Sequence, residues 1–337
     1  MQETTDIPTN ASEATDGLAA AALRAEAWAG EPFLREGEDP AHALAPGTSR
    51  RRALDDALAE IDAGERVPSS QWKVRYALML GLERVLAEQP PHLASGTELR
   101  RHQVDALAGM LTELIAANEE HQNGSGTAGN GTNAEDQAED EDDEDAAEES
   151  AEDVLDNQAE DGEPTEFTGP DPGAVRRYRF RHPTASGKTI AAAGFVEAAR
   201  TLGVLILTHR RLLVSQFDRD LTDEGYADRF SPAIEGRTKP KEPNPLTIQT
   251  YAWFARHQAD VSRDAYQLVI CDEAHTALGE KTSSAIRAFP EPIYVGMTAT
   301  EQLIAKQVSD VFPASVDDLP LADAARRGLI APLRCLR

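Results

Sequence analysis

The second half of this chain alternates short, almost wholly apolar segments with longer segments of helical pattern, and this alternation restricts the folds open to it. The apolar segments lie at 203–208, 246–250, 266–273 and 293–300, and the helical ones at 188–201, 209–222 and 302–310. A strand that is apolar on both faces must be covered on both faces, as in a parallel sheet between two layers of helices. The pattern therefore predicts an α/β fold with a mainly parallel sheet.

A strand-like stretch at 177–180 is separated from the first of these helices by a loop that ends in Gly-Lys-Thr. In such a strand–loop–helix turn, successive backbone N–H groups form a concavity for phosphate, and the helix dipole adds positive potential. Gly-Lys-Thr alone is a weak signal, because the tripeptide is frequent. We predict that nucleotide phosphates are held here, with a lysine reaching their oxygens and a threonine holding Mg²⁺. The predicted residues are Thr184, Ala185, Ser186, Gly187, Lys188 and Thr189.

Two carboxylates follow the apolar residues 268–271, at the end of a strand, where open α/β folds bind their ligands. Asp272 is placed to coordinate Mg²⁺, directly or through water, and Glu273 to orient and deprotonate an attacking water. The alternative is that the pair only caps the next helix. A phosphate loop that ends 84 residues upstream favours the catalytic interpretation.

The "DEAH" of 272–275, with "PTASGKT" before it and "GMTAT" (296–300) after it, resembles the superfamily 2 DEAD/DEAH-box helicases. Three more pieces match in the family's order: "LRRHQVDAL" (99–107), "VLILTHRRLLVSQF" (204–217) and "LTIQTYAWF" (246–254). The chain is most similar to the branch with type III restriction enzyme helicase subunits and UvrB/Rad25-type translocases. The resemblance covers 99–118 and 174–337 and implies the first, ATP-binding RecA-like lobe. It also implies nucleic acid as a partner, with DNA favoured over RNA.

The resemblance gives roles to residues outside the phosphate loop. Gln103 matches the glutamine that reads adenine, so ATP and Mg²⁺ are the implied cofactors. His275, Thr298 and Thr300 match residues that couple the state of the γ-phosphate to motion and to the grip on nucleic acid. The alternative for the two threonines is ordinary capping at a strand end.

Three further positions fall where the family contacts the nucleic-acid backbone: Thr208, Arg210 and Thr250. Such contacts fix the position of a strand without reading its sequence. The alternative is a solvated arginine and two hydroxyls at strand ends.

Composition divides the chain into five regions. We predict a disordered tail at 1–15, a helical region at 16–95, the adenine-contact helix at 96–118, a disordered acidic insertion at 119–172 and the RecA-like domain at 173–337. Between 134 and 163 the insertion holds 17 Asp or Glu and no Lys or Arg. Such a segment buries too little apolar surface to offset its ordering entropy. We interpret it as a passive linker; the alternative is a nucleic-acid mimic that competes for the binding face.

The net charge of −26 does not argue against nucleic-acid binding, because most of it lies in the insertion. Residues 171–337 carry 22 basic and 20 acidic side chains and are almost neutral. Two cysteines are too few for a disulfide framework. With no pattern of a signal peptide or an apolar membrane span, the sequence predicts a cytoplasmic protein that does not enter a membrane.

The favoured function is the ATP-binding lobe of a DNA-dependent ATPase or helicase. Residues 319–337 resemble the end of a first lobe, so we expect the second lobe and its arginine finger to lie elsewhere. A partner chain or a continuation of the same gene would supply them, and hydrolysis by the isolated lobe should be weak. The alternative is a nucleotide-gated module that holds ATP and nucleic acid without productive turnover. A small-molecule kinase is disfavoured, because "DEAH" and "TAT" have no role in one.

Overall fold

The protein, seen in a computed structural model, is described at residues 9–123, 169–181, 188–236, 243–298 and 305–316. Its strands are β1 (Arg177–Arg181), β2 (Val204–Thr208), β3 (Leu246–Thr250), β4 (Leu268–Cys271), β5 (Ile293–Thr298) and β6 (Ala314–Val316). These described strands form one six-stranded sheet in the order β3-β2-β4-β5-β1-β6. Every neighbouring pair is parallel.

Helices precede the sheet and lie between its strands. The preceding ones are α1 (Thr9–Ala29), α2 (Pro40–Ala43), α3 (Ser49–Asp62), α4 (Ser70–Trp72), α5 (Leu78–Ala87) and α6 (Arg101–Asn123). A π-helical turn, Lys73–Ala77, joins α4 to α5. The later ones are α7 (Lys188–Ala198), α8 (Arg211–Asp223), α9 (Tyr251–His257), α10 (Glu280–Ala288) and α11 (Ala305–Val311).

The predicted α/β fold with a parallel sheet is confirmed, and each predicted apolar segment contains a strand. The predicted helical segments correspond to α7, α8 and α11, of which the last two end one residue later than predicted, whereas β6, α9 and α10 were not predicted. Helix α1 begins at Thr9, inside the predicted tail, and α6 continues to Asn123, past the predicted boundary at 118. The central part of the predicted insertion, 124–168, lies outside the described residues.

Alternate residues of the central strands enter two different hydrophobic cores, because successive side chains of a strand point to opposite faces. Leu205, Leu207, Val269 and Cys271 meet apolar residues of α9, α10 and α11 on one face. Val204, Ile206, Leu268 and Ile270 meet α6, α7, α8 and the N-terminal helices on the other. This two-sided covering is why the strands are apolar throughout.

The N-terminal helices are part of this lobe. A Cβ at Gly81 in α5 would stand 1.8 Å from the carbonyl oxygen of Ala198 at the end of α7, so no larger residue allows this approach. Arg84 donates to the Glu197 carboxylate at 2.9 Å and to its carbonyl oxygen at 2.6 Å, and also to the buried Glu31 at 3.0 Å. The N-terminal region thereby fixes α7, the helix that begins at Lys188.

Candidate functional site

Three strands in the middle of the sheet end at the edge where the predicted phosphate and carboxylate residues lie. Asp272 directly follows β4, Thr298 ends β5, and α7 begins at Lys188 after β1. Because β5 lies between β4 and β1 and neighbouring strands are about 4.8 Å apart, the outer two are about 10 Å apart. The predicted loop residues Thr184, Ala185, Ser186 and Gly187 lie outside the described residues, as does the side chain of Lys188.

The backbone of Asp272 is held by a hydrogen bond on each side. Its N–H donates to the carbonyl oxygen of Leu207 in β2 at 2.8 Å. Its own carbonyl oxygen accepts from the hydroxyl of Tyr251, the first residue of α9, at 2.7 Å. The residue is 6% exposed, so it is almost completely buried at this edge of the sheet.

Glu273 has a left-handed backbone conformation, with φ 46° and ψ 57°. A residue with a Cβ adopts this conformation at a cost of about 1–3 kcal/mol, and such residues concentrate at functional sites. Glu273 precedes the 3₁₀ turn Ala274–Leu278, and among the described residues its side chain makes no capping hydrogen bond to that turn. The geometry therefore does not favour the alternative in which Glu273 only caps the following helix.

His275 links the carboxylate of Glu273 to the end of β5. Its Nδ1 lies 3.5 Å from Glu273 Oε2 and 3.2 Å from the hydroxyl oxygen of Thr298. The structure thus brings together two of the three predicted coupling residues beside the second carboxylate. The third, Thr300, lies outside the described residues.

The predicted ligands of Mg²⁺ are a carboxylate and a hydroxyl. Mg²⁺ takes oxygen ligands and commonly binds through one or two protein groups, with phosphate and water completing its shell. Asp272 provides its carboxylate at the end of β4, and half-buried Thr189 lies in the first turn of α7. The chemistry of this donor pair fits a magnesium–nucleotide complex.

Gln103 lies in the first turn of α6, on the side of the lobe where α6 meets α7. A Cβ at Gly194 would lie 3.2 Å from Leu107 and 3.6 Å from Leu99, so the two helices are in close contact. Gln103 is 2% exposed, and its Oε1 accepts from the backbone N–H of Arg100 at 2.9 Å. This bond closes the start of the helix, as the third residue of a capping box does. The residue therefore has a structural role whether or not it reads adenine.

The two roles of Gln103 can be separated with Gln103→Glu. Glutamate keeps an oxygen acceptor for the Arg100 N–H but loses the amide N–H that would donate to N7 of adenine. We expect the wild type to bind ATP about tenfold more tightly than GTP, or better, and the variant to bind ATP more weakly than the wild type does, because N7 loses its donor while N6 keeps an acceptor. Competition titrations with both nucleotides measure it, and a thermal melt reports whether the helix start survives. Equal binding of ATP and GTP by the wild type would remove the adenine role.

The three predicted nucleic-acid contacts differ in exposure. Thr208 is fully buried, and Thr250 is 6% exposed and accepts the N–H of Trp253 at 3.1 Å, which caps α9. Thr250 therefore makes the strand-end capping bond of the alternative interpretation. Arg210, before α8, is exposed. Of these three side chains, Arg210 is the exposed one.

Tyr251 was not predicted to have a role, although its hydroxyl donates to the backbone carbonyl oxygen of Asp272, one of the two predicted catalytic carboxylates. Its position directly after Thr250 was the only signal in the sequence, and a tyrosine at the start of a helix has many structural explanations.

Cys271, the residue before Asp272, is fully buried, and burial raises the pKa of this thiol to about 12. That thiol is therefore a packing group rather than a nucleophile.

Comparison with known proteins places the chain in a family. Residues 97–303, more than half of the 337-residue chain, match the family described as "Type III restriction enzyme, res subunit". A search of curated proteins finds no match. Every helix in the described ranges is too short or too polar to cross a membrane.

Similar solved structures are helicases. The UvsW helicase from bacteriophage T4 is 17% identical over 42% of this chain and 54% of that chain, with a TM-score of 0.32. The Hef helicase domain of Pyrococcus furiosus is 20% identical over 42% and 34%, with a TM-score of 0.32. A hypothetical ATP-dependent RNA helicase from Sulfolobus tokodaii is 18% identical over 48% and 55%, with a TM-score of 0.32. The chain thus spans between 34% and 55% of the length of these three proteins.

A parallel sheet with "DEAH" directly after a central strand and a helix that begins at Lys188 is the arrangement expected of a RecA-like lobe. The chain belongs to the type III restriction enzyme, res subunit, family. The predicted resemblance to type III restriction enzyme subunits is thereby confirmed.

Proposed function

We propose that this chain is the lobe of a DNA-dependent ATPase or helicase that binds Mg-ATP and contributes the groups that hydrolyse it. The observation that carries the proposal is the convergence at one sheet edge of the start of α7, the carboxylates after β4 and the end of β5. Ligands of open α/β folds bind at this edge. Parallel pairing of β5 with β1 on one side and with β4 on the other keeps these three strand ends in register.

The proposed roles follow from the chemistry of each side chain. Lys188 neutralises charge on the β- and γ-phosphate oxygens, and Asp272 and Thr189 hold Mg²⁺. When bound there, Mg²⁺ would supply positive charge against the charge that develops on the phosphate oxygens. Glu273 orients the attacking water and accepts its proton, and His275 stands within 3.5 Å of the same carboxylate. Phosphoryl transfer depends on such positioning and charge neutralisation rather than on covalent chemistry by the protein.

We further propose that the partner is a nucleic-acid strand lying across the ends of β2 and β3, contacted by Arg210. DNA is favoured over RNA because the family is named for a restriction enzyme. Productive turnover in this proposal also requires a second RecA-like lobe, which supplies an arginine finger to the γ-phosphate. Two lobes that close around ATP would also give the motion that translocation needs.

Replacing Lys188 by alanine tests the nucleotide site. A hydrogen bond to a charged group contributes about 1.5–3 kcal/mol, so we expect the affinity for Mg-ATP to fall roughly 10- to 150-fold. Isothermal titration with a non-hydrolysable ATP analogue measures this change. Lys281→Ala, which removes an exposed lysine from α10, is the matched control and should bind as the wild type does. Equal affinities of the Lys188 variant and the wild type would refute the proposed site.

A further inference from the structure

Tyr251 lies between two places that bind different ligands in the proposed function. One is the Mg-ATP site at Asp272, and the other is the nucleic-acid face at the ends of β2 and β3. It directly follows Thr250 at the end of β3, and its hydroxyl donates to the carbonyl oxygen of Asp272 after β4 at 2.7 Å. Strand β2 lies between β3 and β4, so the two strands are about 10 Å apart. The phenol side chain therefore reaches across the end of β2. It is 4% exposed and surrounded by the core that α9, α10 and α11 cover.

The backbone N–H and the carbonyl oxygen of Asp272 both form hydrogen bonds with residues adjacent to the predicted nucleic-acid contacts. Its N–H donates to Leu207, which immediately precedes Thr208, and its carbonyl oxygen accepts from Tyr251, which immediately follows Thr250. A displacement of either strand end would change the position of the peptide that carries the first carboxylate. The link is direct, and it involves one side chain and two hydrogen bonds.

The same carbonyl group also fixes the second carboxylate. The Asp272 carbonyl belongs to the peptide plane whose other end is the N–H of Glu273, so the orientation of that plane sets φ of Glu273. Glu273 has φ 46°, a conformation that a residue with a Cβ keeps only when its surroundings impose it. The hydroxyl of Tyr251 is one of the groups that impose it. Loss of this bond would let the plane rotate and Glu273 relax toward negative φ.

We propose that Tyr251 is a positioning residue that couples occupancy of the nucleic-acid face at the ends of β2 and β3 to the placement of Asp272 and Glu273. The inference rests on the proposed function, because it assumes Mg-ATP at the carboxylates and a strand at Arg210. The coupling of the two binding affinities is then a property of this one lobe, whereas fast hydrolysis stimulated by DNA still requires the second.

Tyr251→Phe tests the coupling, and Tyr294→Phe is its matched control. Tyr294 is fully buried in the same core, and its hydroxyl donates to the Phe289 carbonyl oxygen at 2.8 Å, away from the carboxylates. Both variants lose one buried hydroxyl with a backbone acceptor and keep the aromatic ring. A loss of stability alone should therefore be similar in the two proteins, and thermal melts verify it.

The measurement is the affinity for a Mg-bound, non-hydrolysable ATP analogue with and without saturating oligo-dT, and the reciprocal affinity for oligo-dT. If the two sites are linked, oligo-dT must change the affinity for the analogue by the same factor by which the analogue changes the affinity for oligo-dT. This factor is typically about 5- to 150-fold. We expect the wild type and Tyr294→Phe to show such a factor and Tyr251→Phe to show a factor near one, with each ligand still bound alone. An unchanged factor in Tyr251→Phe, or a factor of one in the wild type, would overturn the inference.

The outcome also distinguishes this inference from the proposed function. If the wild type binds neither the analogue nor oligo-dT, the proposed function fails and the coupling with it. If the wild type binds both and Lys188→Ala loses the analogue, the proposed function stands, and only the comparison of the two phenylalanine variants decides the role of Tyr251. An equal loss of coupling in both variants would assign the effect to core stability and refute the positioning role.

Discussion

Glu273→Gln is expected to reduce ATP hydrolysis by about 10²- to 10⁴-fold while the protein still binds Mg-ATP. Glutamine has nearly the shape of glutamate, but its amide cannot accept a proton from the attacking water. The side chain starts from a backbone held in the left-handed region and lies beside His275, so its position depends on surroundings that the substitution leaves intact. Release of labelled phosphate under single-turnover conditions measures the rate, and analogue titration measures the affinity.

Glu280→Gln is the matched control for this experiment. Glu280 is the exposed first residue of α10, seven positions from Glu273, and loses its charge without approaching the strand ends. Its hydrolysis rate should equal that of the wild type. If Glu273→Gln hydrolyses ATP as fast as this control, another group activates the water and the proposed role of Glu273 is wrong.

The sheet could be predicted because its strands are buried on both faces. Segments such as Leu268–Cys271 have no polar position, and a run of this kind has few structural explanations other than a covered parallel strand. The three-residue strand Ala314–Val316 could not be predicted, because it is too short to show a period. The seven-residue helix Tyr251–His257 has the same difficulty, since its segment also matches the end of a strand.

The candidate site could be predicted as a set of residue types but not as an arrangement. "DEAH" identifies the carboxylates, yet no sequence rule gives a left-handed conformation to Glu273, because glutamate disfavours it. The bond from Tyr251 to Asp272 joins residues 21 positions apart and appears only when three strands are placed side by side. Likewise, the pattern around Gln103 indicated a nucleotide contact, whereas its bond to Arg100 is visible only in three dimensions.

The N-terminal helices show the same division between local and tertiary information. Their apolar periodicity predicted helices but did not indicate what they cover. Gly81 was the available signal, since a glycine inside a helix is unfavourable unless another backbone comes close. The carbonyl oxygen of Ala198 is that backbone group, and the contact makes the N-terminal region part of the lobe.

A second RecA-like lobe is expected to raise hydrolysis by these 337 residues by about 10³- to 10⁵-fold, the contribution of an arginine finger in related phosphoryl-transfer enzymes. The groups proposed at this sheet edge bind Mg²⁺, neutralise part of the phosphate charge and activate water. Charge that develops on the transferred group calls for a further cation on the side of the γ-phosphate opposite this edge. We therefore expect the 337-residue chain alone to bind Mg-ATP and hydrolyse it slowly, with little stimulation by DNA and no unwinding.

The experiment supplies the second lobe of a type III restriction enzyme helicase subunit, either in trans or fused after Arg337, and measures steady-state phosphate release with and without DNA. Glu273→Gln in the same assembly is the control, because stimulated hydrolysis must still depend on this lobe's carboxylate. A version of the second lobe with its finger arginine replaced by alanine should bind but fail to stimulate. Fast, DNA-stimulated hydrolysis by the purified 337-residue monomer would contradict the prediction. It would mean that a cation of this lobe, at the edge where β1, β4 and β5 end, already neutralises the charge of the transition state.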